Sequence, residues 1–158
     1  MDKVILIGGA PYSGKTTLAR ELASKHKYAC ISTDDIGSAI SAVTNITFHP
    51  KLKESYHKYY IKHSIKDLIQ HTCDFHQKLI PSIHAVIDNH ARYGSPAIIE
   101  RWALYPDWIS KLPYNNITSI WLIVSESVLL TRLLNDVNFY QDAQDIEKFV
   151  SHYHERSL

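Results

Sequence analysis

The chain has only two cysteines, Cys30 and Cys73. Two thiols cannot build a disulfide framework, and neither stands in the C-x-x-C spacing of a zinc or redox site. Reduced thiols are the reading that goes with an intracellular protein. Glycine is scarce at 5 residues and proline at 6, which excludes collagen-like and low-complexity chains. No charge of one sign dominates, since 17 Lys and Arg face 16 Asp and Glu. So balanced a chain lacks the bulk attraction of a polybasic nucleic-acid binder. No apolar run approaches the ~18 residues of a membrane span. Val4 to Ile7 is stopped at once by Gly8 and Gly9, so no signal peptide is expected either. Together these absences predict a cytoplasmic protein with neither nucleic-acid nor membrane partners. The 158 residues suit a single domain, and a 45% hydrophobic content can fill its core.

What is present alternates between two periodicities. Val4-Ile5-Leu6-Ile7 is a continuous apolar run, as expected of a strand buried on both faces. Lys15 to Lys25 puts Leu18, Ala19, Leu22 and Ala23 on one helical face. Tyr28 to Ser32 reads as a second strand, and a small helix follows through Ile36, Ile40 and Val43. Residues 51–93 carry no strand signal. Leu52, Tyr56, Tyr59, Tyr60, His63, Leu68 and Ile69 are loosely helical in spacing, and Leu79, Ile80, Ile83, Val86 and Ile87 form a clear stripe. Pro81 is expected to kink or begin that second helix, and Gly94 to stop it. Two long helices are therefore predicted between strands two and three.

Ala97-Ile98-Ile99, ending at Glu100, predicts the third strand. Tyr105 to Leu112 predicts a short helix opened by Pro106, and β-branched Ile117 to Val124 is the strongest strand. Ser125 reads as the N-cap of a helix from Glu126 to about Asn135. Asp142 or Asp145 opens the last helix, with Ile146, Phe149, Val150 and Tyr153 facing inward. Strands alternating with helices predict an α/β fold: a parallel sheet of about four strands covered on both faces.

The sharpest signal is Gly9-Ala10-Pro11-Tyr12-Ser13-Gly14-Lys15-Thr16, a full match to G-x-x-x-x-G-K-[ST]. Glycines let such a loop bend around a phosphate so that successive N–H groups point inward. The helix that starts at the loop's end directs its partial positive charge at the same anion. Lys15 is placed to reach β- and γ-phosphate oxygens, and the Thr16 hydroxyl to ligate Mg²⁺. Gly9, Ala10, Pro11, Tyr12, Ser13, Gly14, Lys15, Thr16 and Thr17 are thus the predicted nucleotide-binding residues.

Two carboxylates follow at strand ends. In Ile31-Ser32-Thr33-Asp34-Asp35-Ile36, Asp34 points toward the crevice where ligands of such sheets bind, and can accept a proton from an attacking hydroxyl. Asp35 is the better N-cap candidate for the next helix. Glu100 closes an apolar strand in the manner of a Walker B carboxylate, which holds Mg²⁺ directly or through water.

With these segments the chain resembles small P-loop kinases of the nucleoside-monophosphate-kinase and shikimate-kinase group. Ile31 to Ile36, and Ile98-Ile99-Glu100 followed by Leu104-Tyr105-Pro106, look most like 2-phosphoglycerate-kinase-like proteins. The resemblance implies a three-layer P-loop fold with sheet order 2-3-1-4, usually with a fifth strand. It also implies ATP with Mg²⁺ and phosphoryl transfer to a small molecule. By the same likeness, residues 51–93 are the acceptor-binding insertion and 126–141 a lid, from which Arg132 would clamp the γ-phosphoryl group. Lys15, Asp34 and Arg132 are then the catalytic residues, and Thr16 with Glu100 the magnesium residues.

Three departures stand out. Arg101-Trp102 follows the strand-three carboxylate where the family commonly has Gly, so either the backbone differs or Arg101 itself meets phosphate. Glu126 to Tyr140 holds only Arg132, although Lys148 or Arg156 can compensate. The family usually adds another strand, whereas this chain stops at Leu158. The edge beyond strand four is then open, or covered by the last helix or a second copy of the chain. The arginine-poor lid and early stop keep an alternative in view: a nucleotide-binding, ATP-hydrolysing regulatory module without a small-molecule acceptor.

Ten histidines raise the question of metal. His63, Asp67 and His71 share a helical face at i, i+4 and i+8, but one carboxylate between two imidazoles reads better as a solvated polar face. His152 and His154 read as surface residues. Tyr56, Tyr59 and Tyr60 read as packing rather than base stacking.

Overall fold

A computed structural model of the chain describes residues 3–46 and 56–158. Leu52, and with it the start of the 51–93 helical reading, lies outside the described residues. The elements run β1 (Val4–Gly9), α1 (Lys15–His26), β2 (Ala29–Ser32), α2 (Thr33–Val43), α3 (Tyr56–Lys62), α4 (Ile65–Arg92), β3 (Ala97–Glu100), α5 (Pro106–Ile109), β4 (Ile117–Leu122), α6 (Glu126–Asn135), α7 (Val137–Tyr140) and α8 (Ile146–Arg156). All strand pairs are parallel, in the order β2-β3-β1-β4. This is the expected order. None of the helices described is long and apolar enough to cross a membrane.

The chain divides into two compact units, Met1–Asn45 with Lys78–Ile123, and Ile46–Gln77 with Val124–Leu158. The first contains the sheet. β1 has a partner on each side, so its uninterrupted apolar run is inside on both faces, with Val4, Leu6 and Ile7 almost fully buried. Ile5, Ile7 and Ile98 meet Ala19 and Ala23 of α1, and Leu18, Leu22, Ile120 and Leu122 close the rim. Small alanines on the inner stripe let the helix lie close on the sheet, which aims its first turn at the end of β1.

The second unit has an aromatic core. Tyr60 packs its ring 5.5 Å from Phe149 and 5.4 Å from Tyr153, centroid to centroid. Tyr59 is equally buried. Arg156 is buried here, its guanidinium 5.2 Å from the Tyr60 ring centre and 4.9 Å from that of Tyr153, with a 3.4 Å bond to Thr72 Oγ1. It is therefore spent on aromatic packing rather than held out for phosphate, a correction to its reading as a lid substitute. His154 is buried too, not on the surface, because the inner stripe of α8 includes Phe149, Val150, Tyr153 and His154, while Ile146 is exposed. Burial, reinforced by the Arg156 charge, pulls His76 down to about 4, so this interior imidazole is neutral.

Of the two long helices expected between strands two and three, the described residues contain 7 residues of the first, α3, and 28 of the second, α4, with Pro81 inside it. Pro81 does not begin the helix. Its missing N–H removes the bond to the Gln77 carbonyl, at ~3 kcal/mol. The stripe Leu79, Ile83 and Ile87 continues through it, at most 2% exposed. Burying each such side chain is worth ~1.5–3 kcal/mol, so together they outweigh the proline. His63 precedes α4, and therefore does not share a helix with Asp67 and His71. The predicted 105–112 helix shortens to α5. The cap at Ser125 forms as expected, and of Asp142 and Asp145 it is Asp145 that caps α8, each side chain accepting a backbone N–H from the first turn.

Candidate functional site

The loop between β1 and α1 turns on three residues with positive φ: Gly9 at 133°, Tyr12 at 58° and Gly14 at 92°. Inside it the Ser13 N–H donates to the Ala10 carbonyl at 3.3 Å. The Lys15 ammonium folds back over the loop, donating to the Ala10 carbonyl and, at 3.3 Å, to Ser13 Oγ. Lys15 is 5% exposed. Burial pulls its pKa down to about 8; the Glu100 carboxylate works against this, Arg101 adds to it, and Asp34 opposes it.

That depression has a measurable consequence. Below about pH 8 Lys15 is charged but poorly solvated, and a phosphate beside it restores its pKa toward 10.5. Between those values the binding of a phosphate group there would therefore take up a proton, and affinity would fall as the pH rises through this window. Titration calorimetry in two buffers of different ionisation enthalpy checks this. A binding enthalpy independent of buffer at about pH 9 would contradict it.

Glu100 ends β3 opposite Ile7 of β1 and Ser32 of β2, and is 2% exposed. It accepts a hydrogen bond from Thr16 Oγ1 at 3.0 Å. A hydroxyl and a carboxylate brought together are hard oxygen donors of the kind Mg²⁺ takes, so these residues fit that ion. Asp34 lies in the first turn of α2. The N-cap of α2 is Ser32, whose Oγ accepts from the Asp34 N–H at 3.1 Å, so the capping role assigned to Asp35 belongs to Ser32. Asp34 keeps its carboxylate for the crevice, where Oδ2 accepts from Arg101 Nε at 2.6 Å. Arg101 Nη1 also donates to Thr16 Oγ1 at 3.0 Å.

Lys15, Thr16, Asp34, Glu100 and Arg101 thus form one charged cluster at the mouth of the loop, all within the first unit. Thr17 is exposed on α1 beside them. Arg132 is exposed on α6, in the second unit. The sequence left two readings for Arg101, a different backbone or a phosphate contact, and its φ of 126° keeps the glycine-like backbone. Among the described residues, no group of three or more His, Cys, Asp or Glu side chains could hold a metal ion. In particular, His71 Nδ1 is engaged with the Tyr59 hydroxyl at 2.8 Å.

No family model and no curated protein matches the sequence. Solved structures do. A gluconokinase from Sinorhizobium meliloti 1021 is 17% identical with a TM-score of 0.55, over 96% of this chain and 73% of that one. A shikimate kinase from Bacteroides thetaiotaomicron is 15% identical with a TM-score of 0.51, over 97% and 75%. A shikimate kinase from Acinetobacter baumannii, in complex with shikimate, is 12% identical with a TM-score of 0.50, over 99% and 80%. At such identities the likeness is one of architecture: the chain has the parallel-sheet fold of the P-loop small-molecule kinases.

Proposed function

We propose that the protein is an ATP-dependent kinase that phosphorylates a hydroxyl or phosphate group of a small molecule. The observation that carries this is the convergence of Lys15, Thr16, Asp34 and Glu100 on the Gly9–Thr16 loop. Backbone N–H groups of the loop and the start of α1 bind the phosphates. Lys15 neutralises charge developing on β- and γ-oxygens. Thr16 and Glu100 would hold Mg²⁺, which when bound supplies further charge neutralisation on the phosphate oxygens. Asp34 orients an acceptor hydroxyl and takes its proton as the acceptor oxygen bonds to the γ-phosphorus. The bond to the β–γ bridging oxygen breaks and ADP leaves. Arg132, from the lid-like 126–141 segment, contacts the γ-phosphoryl group, and residues 51–93 select the acceptor.

The test is ADP release across a panel of polyols, sugar acids, hydroxy acids and their phosphates. Stimulation by one class supports the kinase. Equal release with every acceptor and with none would instead fit the acceptor-free ATP-hydrolysing module, which the single arginine of Glu126–Tyr140 favours. With the right acceptor, Asp34→Asn should leave nucleotide affinity within about 2-fold and lower transfer by ~10²–10⁴-fold. Undiminished transfer would remove Asp34 from the chemistry.

A further inference from the structure

Arg101 follows Glu100 at the end of β3, with its backbone at φ 126°. That region suits glycine, and a residue with a Cβ is held there at a cost of about 1–3 kcal/mol. The ion pair of Arg101 with Asp34 has side chains 40% and 45% exposed, such pairs being worth ~0–1 kcal/mol, and the bond to Thr16 Oγ1 adds to it. Residues kept under strain cluster where they touch ligands.

Charge and position point the same way. The guanidinium lies close enough to Lys15 to depress that ammonium further. Lys15 and Arg101 are thus two cations at the mouth of the loop, balanced there by Glu100 and Asp34. Through Thr16 on one side and Asp34 on the other, Arg101 lies between the loop and the carboxylate assigned to the acceptor. A terminal phosphoryl group has to pass between these two places. The planar fork of guanidinium matches phosphate oxygens better than an ammonium does.

We propose that Arg101 is a catalytic residue of the phosphoryl transfer, its guanidinium contacting the terminal phosphoryl group of the bound nucleoside triphosphate. The role rests on the kinase reading above. As the acceptor oxygen bonds to phosphorus and the bridging oxygen departs with ADP, Arg101 balances charge on the equatorial oxygens and exchanges no proton. It supplies from β3 the cation that the lid-like segment, with Arg132 alone, holds in short supply.

Titration of a triphosphate analogue with a non-hydrolysable β–γ link, and separately of ADP, both with Mg²⁺, tests this on the native protein, Arg101→Gly and Arg101→Ala. Both variants should bind ADP within about 2-fold of native and lose ~10–100-fold in triphosphate affinity, as for a lost charged hydrogen bond. Arg101→Gly should also melt higher than Arg101→Ala, because only glycine accepts the backbone unstrained. A shared loss of triphosphate affinity in variants of different stability assigns the effect to the guanidinium. Equal losses for both nucleotides, or no loss in either variant, overturn the role while the kinase reading stands. A native protein that binds neither nucleotide overturns that reading, and the role of Arg101 with it.

Discussion

Lys15→Ala is expected to remove nucleotide binding, with affinity for ATP falling at least ~100-fold and turnover falling with it. The ammonium is buried against the loop it serves, bonded to Ala10 and Ser13, with no bulk water to take over its part. The same burial makes it a burden without phosphate. A pKa held at about 8 rather than 10.5 means that the charge, still present at neutral pH, is less favourable here than on a free lysine, by about 3 kcal/mol. Lys15→Met, which keeps the apolar stem and deletes the charge, should therefore be at least as stable as native while binding no better than Lys15→Ala. Calorimetry with ATP and thermal melts without it read the two effects separately. A loss of affinity smaller than about 3-fold would exclude Lys15 as the phosphate cation, since it is less than half of one charged hydrogen bond.

Gly9→Ala should have the largest effect on the fold itself. A Cβ at Gly9 would lie 2.3 Å from the Leu122 carbonyl oxygen and 3.1 Å from its nitrogen, on a backbone with φ +133°. Leu122 is the register partner of Gly9 across the β1–β4 pair, so nothing there is a flexible side-chain end that could move aside. Relief requires parting the strands or reshaping the loop, with an expected loss of about 3 kcal/mol or more by denaturant unfolding. Gly14→Ala is the internal control. Its φ is +92° but no heavy atom lies within 4 Å of the added carbon, so only backbone strain of ~1–2 kcal/mol applies. Equal losses at the two positions would place the whole effect in φ and contradict the clash.

Much of this site was legible in the chain because its information is local. The loop spacing from Gly9 to Thr16 lies within eight consecutive residues. The inner stripe of α1 needs only a periodicity, and Ser125 and Asp145 cap helices a few positions on. Glu100 could be marked because it ends a strand and Asp34 because it closely follows one, and in a parallel sheet those ends lie at one edge. What failed locally failed through competition among near neighbours. Ser32 rather than Asp35 caps α2, since a cap needs extended backbone and Ser32 has it, at φ -91° and ψ 136°. Pro81 was read by its intrinsic effect on a helix, which the buried face of α4 overrides.

The sequence by itself determined the alternation of strands and helices, the Gly9–Thr16 loop motif and two of the carboxylates around it. Periodicity and spacing are written in adjacent residues and need no partner to be read. Only the tertiary structure decided what those groups touch. Arg101 is 67 positions from Asp34 and 85 from Thr16, and Glu100 is 84 from Thr16. Arg156, equally charged on paper, is drawn into an aromatic core, while Arg101 is held at the crevice on strained backbone. Whether a cation packs into a core or pairs at a crevice depends on the burial and field around it, and those exist only once the strands have paired.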